Sequence, residues 1–206
     1  MSAVLAVHPV DPQPRFLRQA ADVVREGGVI VYPTDSCYAF GCQIGNKAAR
    51  ERIGRIRRLD EKHRFALLCR DLSELSVYAN FSTPVYRLLK AHTPGPYAFL
   101  LRGTREAPRL LMDPKRKRVG VRVPDHRIAL ALLEELNEPM MTSSLILPGD
   151  DLPLTDPEEI AERIGSQVDL ILDGGIGSAE PTTMVDLTED VPRVVRVGRG
   201  DPTPFL

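Results

Sequence analysis

Cysteine is scarce in this sequence of 206 residues: Cys37, Cys42 and Cys69 are the only three, and no two form a Cys-x-x-Cys pair. An odd number without that spacing argues against a disulfide scaffold or a zinc ribbon, and the thiols are expected to be reduced, small buried hydrophobes. Long apolar runs are absent too. Segments 28–31 and 99–101 are typical, far short of the roughly 20 residues that cross a bilayer, so no membrane partner is expected. The N-terminus has no basic region and reaches His8-Pro9 before any useful apolar stretch. It does not read as a signal peptide, and a cytoplasmic location is the default expectation. Also missing are Gly-x-x-x-x-Gly-Lys-Ser/Thr, Gly-x-Gly-x-x-Gly after a strand, His-Glu-x-x-His and Gly-x-Ser-x-Gly. Common nucleotide-loop, zinc-protease and hydrolase-elbow readings are therefore disfavoured. The four histidines, His8, His63, His92 and His126, fall in expected loops or at helix ends without metal-ligand spacing, so no metal site is assigned.

Net charge is nearly absent as well, with 27 Lys+Arg against 28 Asp+Glu, yet the charge is segregated. Segment 47–64 carries eight basic and three acidic residues, and segment 102–118 carries seven against two, a net of +5 in each. Segment 134–190 holds 15 acids opposed only by Arg163, a net of −14. Such asymmetry suits an anionic ligand, either the phosphates of a nucleotide or those of an RNA backbone; solvated helix and loop faces are the competing explanation.

Hydrophobic periodicity predicts an alternation of helices and strands. Pro14 opens a helical stripe through Val24 that Gly27-Gly28 stops. Val29-Ile30-Val31-Tyr32 is a β-branched run ending at Pro33, a buried strand feeding a loop over 33–41. Asn46 is placed to cap a basic helix over about 47–58, and Asp71 with Glu74 to form a capping box. Further strands are expected over 65–69, 97–101, 119–123, 140–147, 168–172, 184–187 and 194–197. Helices are expected after Ser82, Asp125 and Asp156. The pattern is an α/β protein with a mixed sheet, since some connections are too short for crossover helices. A chain of this length is one domain or at most two small ones, and no repeat or linker divides it.

Polar groups gather at the strand ends. Pro33-Thr34-Asp35-Ser36-Cys37-Tyr38-Ala39-Phe40-Gly41 follows the first buried strand, where α/β proteins place ligands. Arg122 closes another strand before Pro124, Thr142-Ser143-Ser144 lies within one, and Arg196 and Arg199 flank Gly198. Arginine forks and hydroxyls together are suited to carboxylates and phosphates.

These residues resemble a known family. The stretch from Pro33 to Gly41 is similar to the Pro-Thr-Glu/Asp-Thr/Ser-x-Tyr-x-Leu-Gly signature of the YrdC-like proteins. Further matches follow in order: the basic end of the 47–58 helix, Pro94-Gly95-Pro96, Val121-Arg122-Val123-Pro124, Ile171-Leu172-Asp173-Gly174-Gly175, Thr182-Thr183-Met184-Val185-Asp186-Leu187 and Val195-Arg196-Val197-Gly198. Cys69 to Leu75, Leu147-Pro148-Gly149 and the ending Thr203-Pro204-Phe205-Leu206 resemble the YciO branch of that family.

The resemblance implies one domain over 1–206, a twisted mixed sheet with helices enclosing a basic cavity. It also implies binding of ATP with Mg2+, and of L-threonine or another small carbamoyl acceptor. With bicarbonate these give threonylcarbamoyl-AMP, the precursor of threonylcarbamoyladenosine in tRNA. The alternative is a tRNA- or double-stranded-RNA-binding protein without turnover. By position, the resemblance assigns Thr34, Tyr38 and Arg122 to the amino acid, and Arg57, Arg58, Ser143, Thr182, Thr183 and Arg196 to the nucleotide. The family's Lys-x-Arg and Ser-x-Asn pairs are here Arg57-Arg58-Leu59 and Ser143-Ser144-Leu145. The second cation is lost or shifted to Arg58, and an amide is replaced by an apolar side chain.

Overall fold

A computed structural model describes residues 2–60, 63, 65–189 and 191–206. Glu61, Lys62 and Arg64 of the first basic segment, and Asp190 of the acidic one, lie outside the described residues. The helices form where side-chain spacing and end chemistry agree. Helix α1 (Pro14–Arg25) starts on its proline, buries Leu17, Ala20, Ala21 and Val24, and stops before Gly27 at φ +85°. Helix α2 (Lys47–Arg57) is capped by Asn46, whose side chain accepts from the Ala49 amide at 2.9 Å; Arg58 ends it in the left-handed conformation. Four more follow: α3 (Leu72–Tyr78), α4 (Thr83–His92), α5 (Arg127–Leu136) and α6 (Pro157–Ile164), the last capped by Asp156. Asp71 caps α3 as expected, while Glu74 reaches back to the Arg70 amide at 2.7 Å.

The strands β1 (Ala3–Ala6), β2 (Ile30–Tyr32), β3 (Ala39–Gln43), β4 (Ala66–Leu68), β5 (Ala79–Asn80), β6 (Tyr97–Gly103), β7 (Arg118–Arg122), β8 (Met140–Ser144), β9 (Leu170–Asp173), β10 (Thr183–Asp186) and β11 (Arg193–Arg196) join one sheet. Their order among the described residues is β1-β9-β2-β3-β8-β4-β7-β6-β10-β11, with β5 added to β6. Parallel pairs (β1 with β9, β2 with β9, β4 with β7, β6 with β10) mix with antiparallel ones, so the mixed α/β sheet is as expected. The inner strands are buried on both faces and read as continuous apolar runs. Ile30 and Tyr32 face α1 and α5, while Val29 and Val31 face the larger core under α2, α3, α4 and α6. Among the described residues, no helix is long and apolar enough to cross a membrane.

Two local expectations are corrected, and strand β1 is added to those expected. The loop after β2 spans only 33–38, because Ala39-Phe40-Gly41 turns back as β3 in register with Tyr32, Val31 and Ile30. Gly41 is needed there: a Cβ would stand 2.9 Å from the Tyr32 ring. The α5 N-cap is His126 rather than Asp125, whose amide instead donates to Asp35 at 3.0 Å. Strand β1, four residues with no period of their own, exists because β9 offers it a parallel partner, Ala3 opposite Leu170.

One polar cluster locks the β6–β7–β10–β11 end. Asp186 pairs with Arg118 at 3.0 Å and Arg193 at 3.3 Å, and accepts from the Thr188 hydroxyl at 2.6 Å and amide at 3.0 Å. Burial pushes its carboxyl up, but the Thr188 hydrogen bonds and the two arginines outweigh this and hold it below the usual carboxylate range. Its stabilisation is therefore full above the ordinary aspartate pKa of about 3.9 and is lost as pH falls below it. Asp186→Asn is expected to cost about 1–3 kcal/mol at pH 7, and the gap to the parent should narrow in acid. Urea unfolding at neutral pH and near pH 3 measures both.

Candidate functional site

The 33–38 loop is held by its own hydroxyls. The Thr34 hydroxyl donates to the Cys37 carbonyl at 2.6 Å and accepts from the Ser36 amide at 3.1 Å. Short hydroxyl side chains favour such local bonds, and they aim Asp35 outward from the turn. The next loop residue, Tyr38, is fully buried. Its hydroxyl donates to the Gly175 carbonyl at 2.7 Å and accepts from the Gly174 amide at 3.1 Å, pinning the glycine-rich segment that follows β9. Its ring leaves no room for a side chain at 177, where a Cβ would approach to 2.9 Å.

Between these loops lies a cavity of about 710 Å³, walled by Thr34, Asp35, Ser36, Pro96, Asp125, His126, Arg199 and the stretch Gly174-Gly175-Ile176-Gly177-Ser178. Arg122, at the end of β7, is buried and ion-pairs with Asp35. The second Asp35 oxygen takes the Asp125 amide, so one carboxylate joins the 33–38 loop to the β7–α5 corner. Arg122 Nε is buried and, among the described residues, has no hydrogen-bond partner.

The nucleotide candidates divide into two groups. Arg57, at the last turn of α2, donates to the Ser143 hydroxyl and to the Ile146 carbonyl at 3.0 Å. Arg196, at the end of β11, donates to the Thr182 carbonyl at 3.1 and 2.9 Å and to its hydroxyl at 3.0 Å. Burial lowers the pKa of both arginines, Cys37 lies within electrostatic reach of each, and Arg122 repels Arg196. Arg57, Arg122 and Arg196 therefore crowd around the 33–38 loop, and among the described residues neither Arg57 nor Arg196 has a carboxylate partner. Thr183 and Arg58 are placed differently. The Thr183 hydroxyl is enclosed, donating to the Gly200 carbonyl at 2.5 Å and accepting from the Gly198 amide at 2.9 Å. Arg58 is exposed on a separate groove beside Arg50, Arg55 and Phe65. Leu145, at the position of the family's asparagine, is buried in the larger core, and its amide donates to the Tyr38 carbonyl at 2.9 Å.

Asp125 and His126 were not among the candidate side chains, while Asp35, Ser36 and Arg199 were noted at strand ends but given no ligand. The acid inside Pro-Thr-Asp and the Asp-His pair after Val123-Pro124 are the signals that mark them. All three cysteines are buried and free, as expected, and burial raises the Cys42 thiol to about 12. Tyr38→Phe would strip the Gly175 carbonyl and Gly174 amide of their partner. An expected loss of about 1–3 kcal/mol, with faster amide exchange at Gly174, is measurable by urea unfolding and hydrogen exchange.

The Sua5/YciO/YrdC family model, described as "Telomere recombination", matches residues 22–198. The YciO protein of Escherichia coli (strain K12) is 55% identical over 206 residues, all of both chains. The crystal structure of E. coli YciO superposes with a TM-score of 0.96 over 100% of each chain. A threonylcarbamoyl-AMP synthase of Vibrio vulnificus (strain YJ016) is 30% identical over 164 residues, 78% of this chain and 87% of that one. P. abyssi Sua5 complexed with L-threonine is 27% identical with a TM-score of 0.88, covering 96% of this chain and 58% of that one. The mixed sheet, the ordered motifs and the positions around the 33–38 loop thus have one explanation: the chain belongs to the Sua5/YciO/YrdC family.

Proposed function

We propose that this chain binds ATP, as its magnesium complex, together with L-threonine or another small amine. With bicarbonate it would form a carbamoyl-adenylate of the threonylcarbamoyl-AMP kind, the activated precursor for tRNA threonylcarbamoyladenosine. The observation that carries the reading is the pair Arg57, half-buried, and Arg196, more exposed, guanidinium groups near the 33–38 loop without a carboxylate partner among the described residues. Guanidinium forks without a counter-ion are suited to carboxylates and phosphates, and an anionic ligand supplies the missing partner. Arg57 with Ser143, and Arg196 with Thr182, would hold the phosphates and nucleoside; Arg122 Nε would take the amino-acid carboxylate. Among the described residues no group of three or more His, Cys, Asp and Glu side chains is arranged to hold a metal ion, so magnesium enters with the nucleotide phosphates.

The reaction asks for little from an enzyme nucleophile. The carbamate formed on the amine attacks the α-phosphate, and pyrophosphate leaves. The protein's part is alignment and cationic stabilisation of charge on the phosphates. The relatives named for threonylcarbamoyl-AMP synthesis and for a complex with L-threonine support this assignment. Pyrophosphate release from MgATP that requires both L-threonine and bicarbonate, with the adenylate identified by mass, is the expected result. No release from a protein that binds ATP would overturn it. Arg57→Ala should lower kcat/KM about 10- to 100-fold, since a charge-assisted contact of this kind contributes roughly 1.5–3 kcal/mol.

A second reading rests on another surface. Three adjoining grooves, of about 560, 500 and 770 Å³, share Arg50 and Arg109 and bring the two basic segments together with Arg55, Arg58, Arg105 and Lys117. Such a face suits the backbone of tRNA or double-stranded RNA. It predicts affinity that falls with salt by about 0.7–0.9 log units per log unit of salt for each phosphate engaged, with no pyrophosphate release.

A further inference from the structure

One face of the sheet is bare at the β6–β7–β10–β11 end. Strand alternation sends Phe99, Leu101, Val119, Val121 and Val185 into the larger core, so Arg102 of β6, Arg118 of β7 and Asp186 of β10 point the other way. Arg193 of β11, the partner of Asp186 in the ladder, joins them. The smaller core beneath α1 and α5 takes no residue from these four strands among those described. A cavity of about 650 Å³ is lined instead by these four side chains, by Arg116 from the turn before β7 and by the β10–β11 connection. Its charges are unbalanced: four guanidinium groups face two carboxylates, Asp186 and Glu189, among the described residues. Arg102 and Arg118 stand directly opposite each other on adjacent strands, where like charges repel. Both Asp186 oxygens are taken up by Arg118, Arg193 and Thr188, and Glu189 by Arg102 at 3.2 Å. Asp113, 3.8 Å from Arg118, accepts from the Lys115 and Arg116 amides. The Arg116 guanidinium makes no ion pair or hydrogen bond among the described residues.

We propose that this cavity binds a free inorganic oxyanion of the phosphate class, orthophosphate or pyrophosphate, on Arg102, Arg116, Arg118 and Arg193. A guanidinium carries five N–H donors in a planar fork that matches phosphate oxygens, and the carboxylates here use only some of them. Four cations against two anions leave a surplus that suits a dianion. An anion seated over Arg102 and Arg118 also removes the repulsion between them. Val191 is the one apolar side chain among the described lining residues, and none is aromatic, so there is no wall to take a nucleobase. The ligand is therefore the oxyanion itself. Neither Arg57 nor Arg196 lines this cavity, so the proposal stands apart from the synthase reading.

Isothermal titration with sodium pyrophosphate and with sodium phosphate, at an ionic strength held constant with chloride, tests the site. Saturable binding of at least one of them is expected, with a Kd below about 1 mM. Arg116→Ala removes an exposed side chain and should weaken that binding about tenfold; Arg102→Ala together with Arg116→Ala should weaken it about 100-fold. Arg57→Ala should leave it in place. Thermal midpoints show which variants fold. If the double variant does not, Arg116→Ala and Arg116→Lys decide, because lysine keeps the charge without the fork and should fall between parent and alanine. No saturable binding of either anion overturns the proposal. So does binding that a folded Arg116→Ala protein retains unchanged, or binding that Arg57→Ala abolishes. Duplex RNA that binds through Arg102 and Arg116 where both free anions fail would also overturn it, since the site would then read a nucleic-acid backbone.

Discussion

The buried pair of Asp35 and Arg122 is the constraint on which the site depends. Asp35 rides the loop after β2, and Arg122 closes β7, four places along the sheet from β2. Without a bond across that distance the two loops would be free to separate, and the cavity between them would have no fixed shape. The other Asp35 oxygen takes the Asp125 amide, so the same carboxylate sets where α5 begins. Removing either partner would leave an uncompensated buried charge, typically a loss of about 3–5 kcal/mol. A pair held so firmly contributes more to geometry than to net stability.

Much of the architecture was legible because the chain's signals are local. Asn46, Asp71 and Asp156 cap the helices that their positions announce. The β-branched runs at 29–32 and 168–172 contain the strands expected of them. What was not legible is what pairing decides. Ala39 to Gly41 looks like the tail of a polar loop, and only its partners Tyr32, Val31 and Ile30 make it a strand. Asp125 resembles a cap, yet a long-range carboxylate claims its amide and the cap position passes to His126.

For the candidate site, the ordered motifs point to the loops around the cavity, but spacing alone does not say which side chains line it. Thr34, Arg57, Ser143, Thr182 and Arg196 gather around one region, while Thr183 is consumed by the turn at Gly198 and Arg58 leaves on the other face of α2. Arg57 is the last helical residue and Arg58 the left-handed residue that ends α2, so the two side chains leave in different directions and were never equivalent substitutes.

The departures from the family's Lys-x-Arg and Ser-x-Asn pairs form one physical unit. Arg57 reaches both the Ser143 hydroxyl and the Ile146 carbonyl, tying the end of β8 and the segment just beyond it to α2. A lysine presents a compact ammonium on a single point, whereas the planar fork serves two acceptors at once. With that segment fixed by the guanidinium, Leu145 turns into the core beneath Tyr38, and Leu59 packs against the same core. Restoring an asparagine at 145 alone would place an amide among apolar side chains, at a cost of about 1–3 kcal/mol on protein mutational scales. This end of the candidate site thus carries a planar fork and two apolar side chains where the resemblance places a lysine, a second cation and an amide. In the proposed reaction such a frame matters because prearranged guanidinium groups need no reorganisation as negative charge builds on a leaving group.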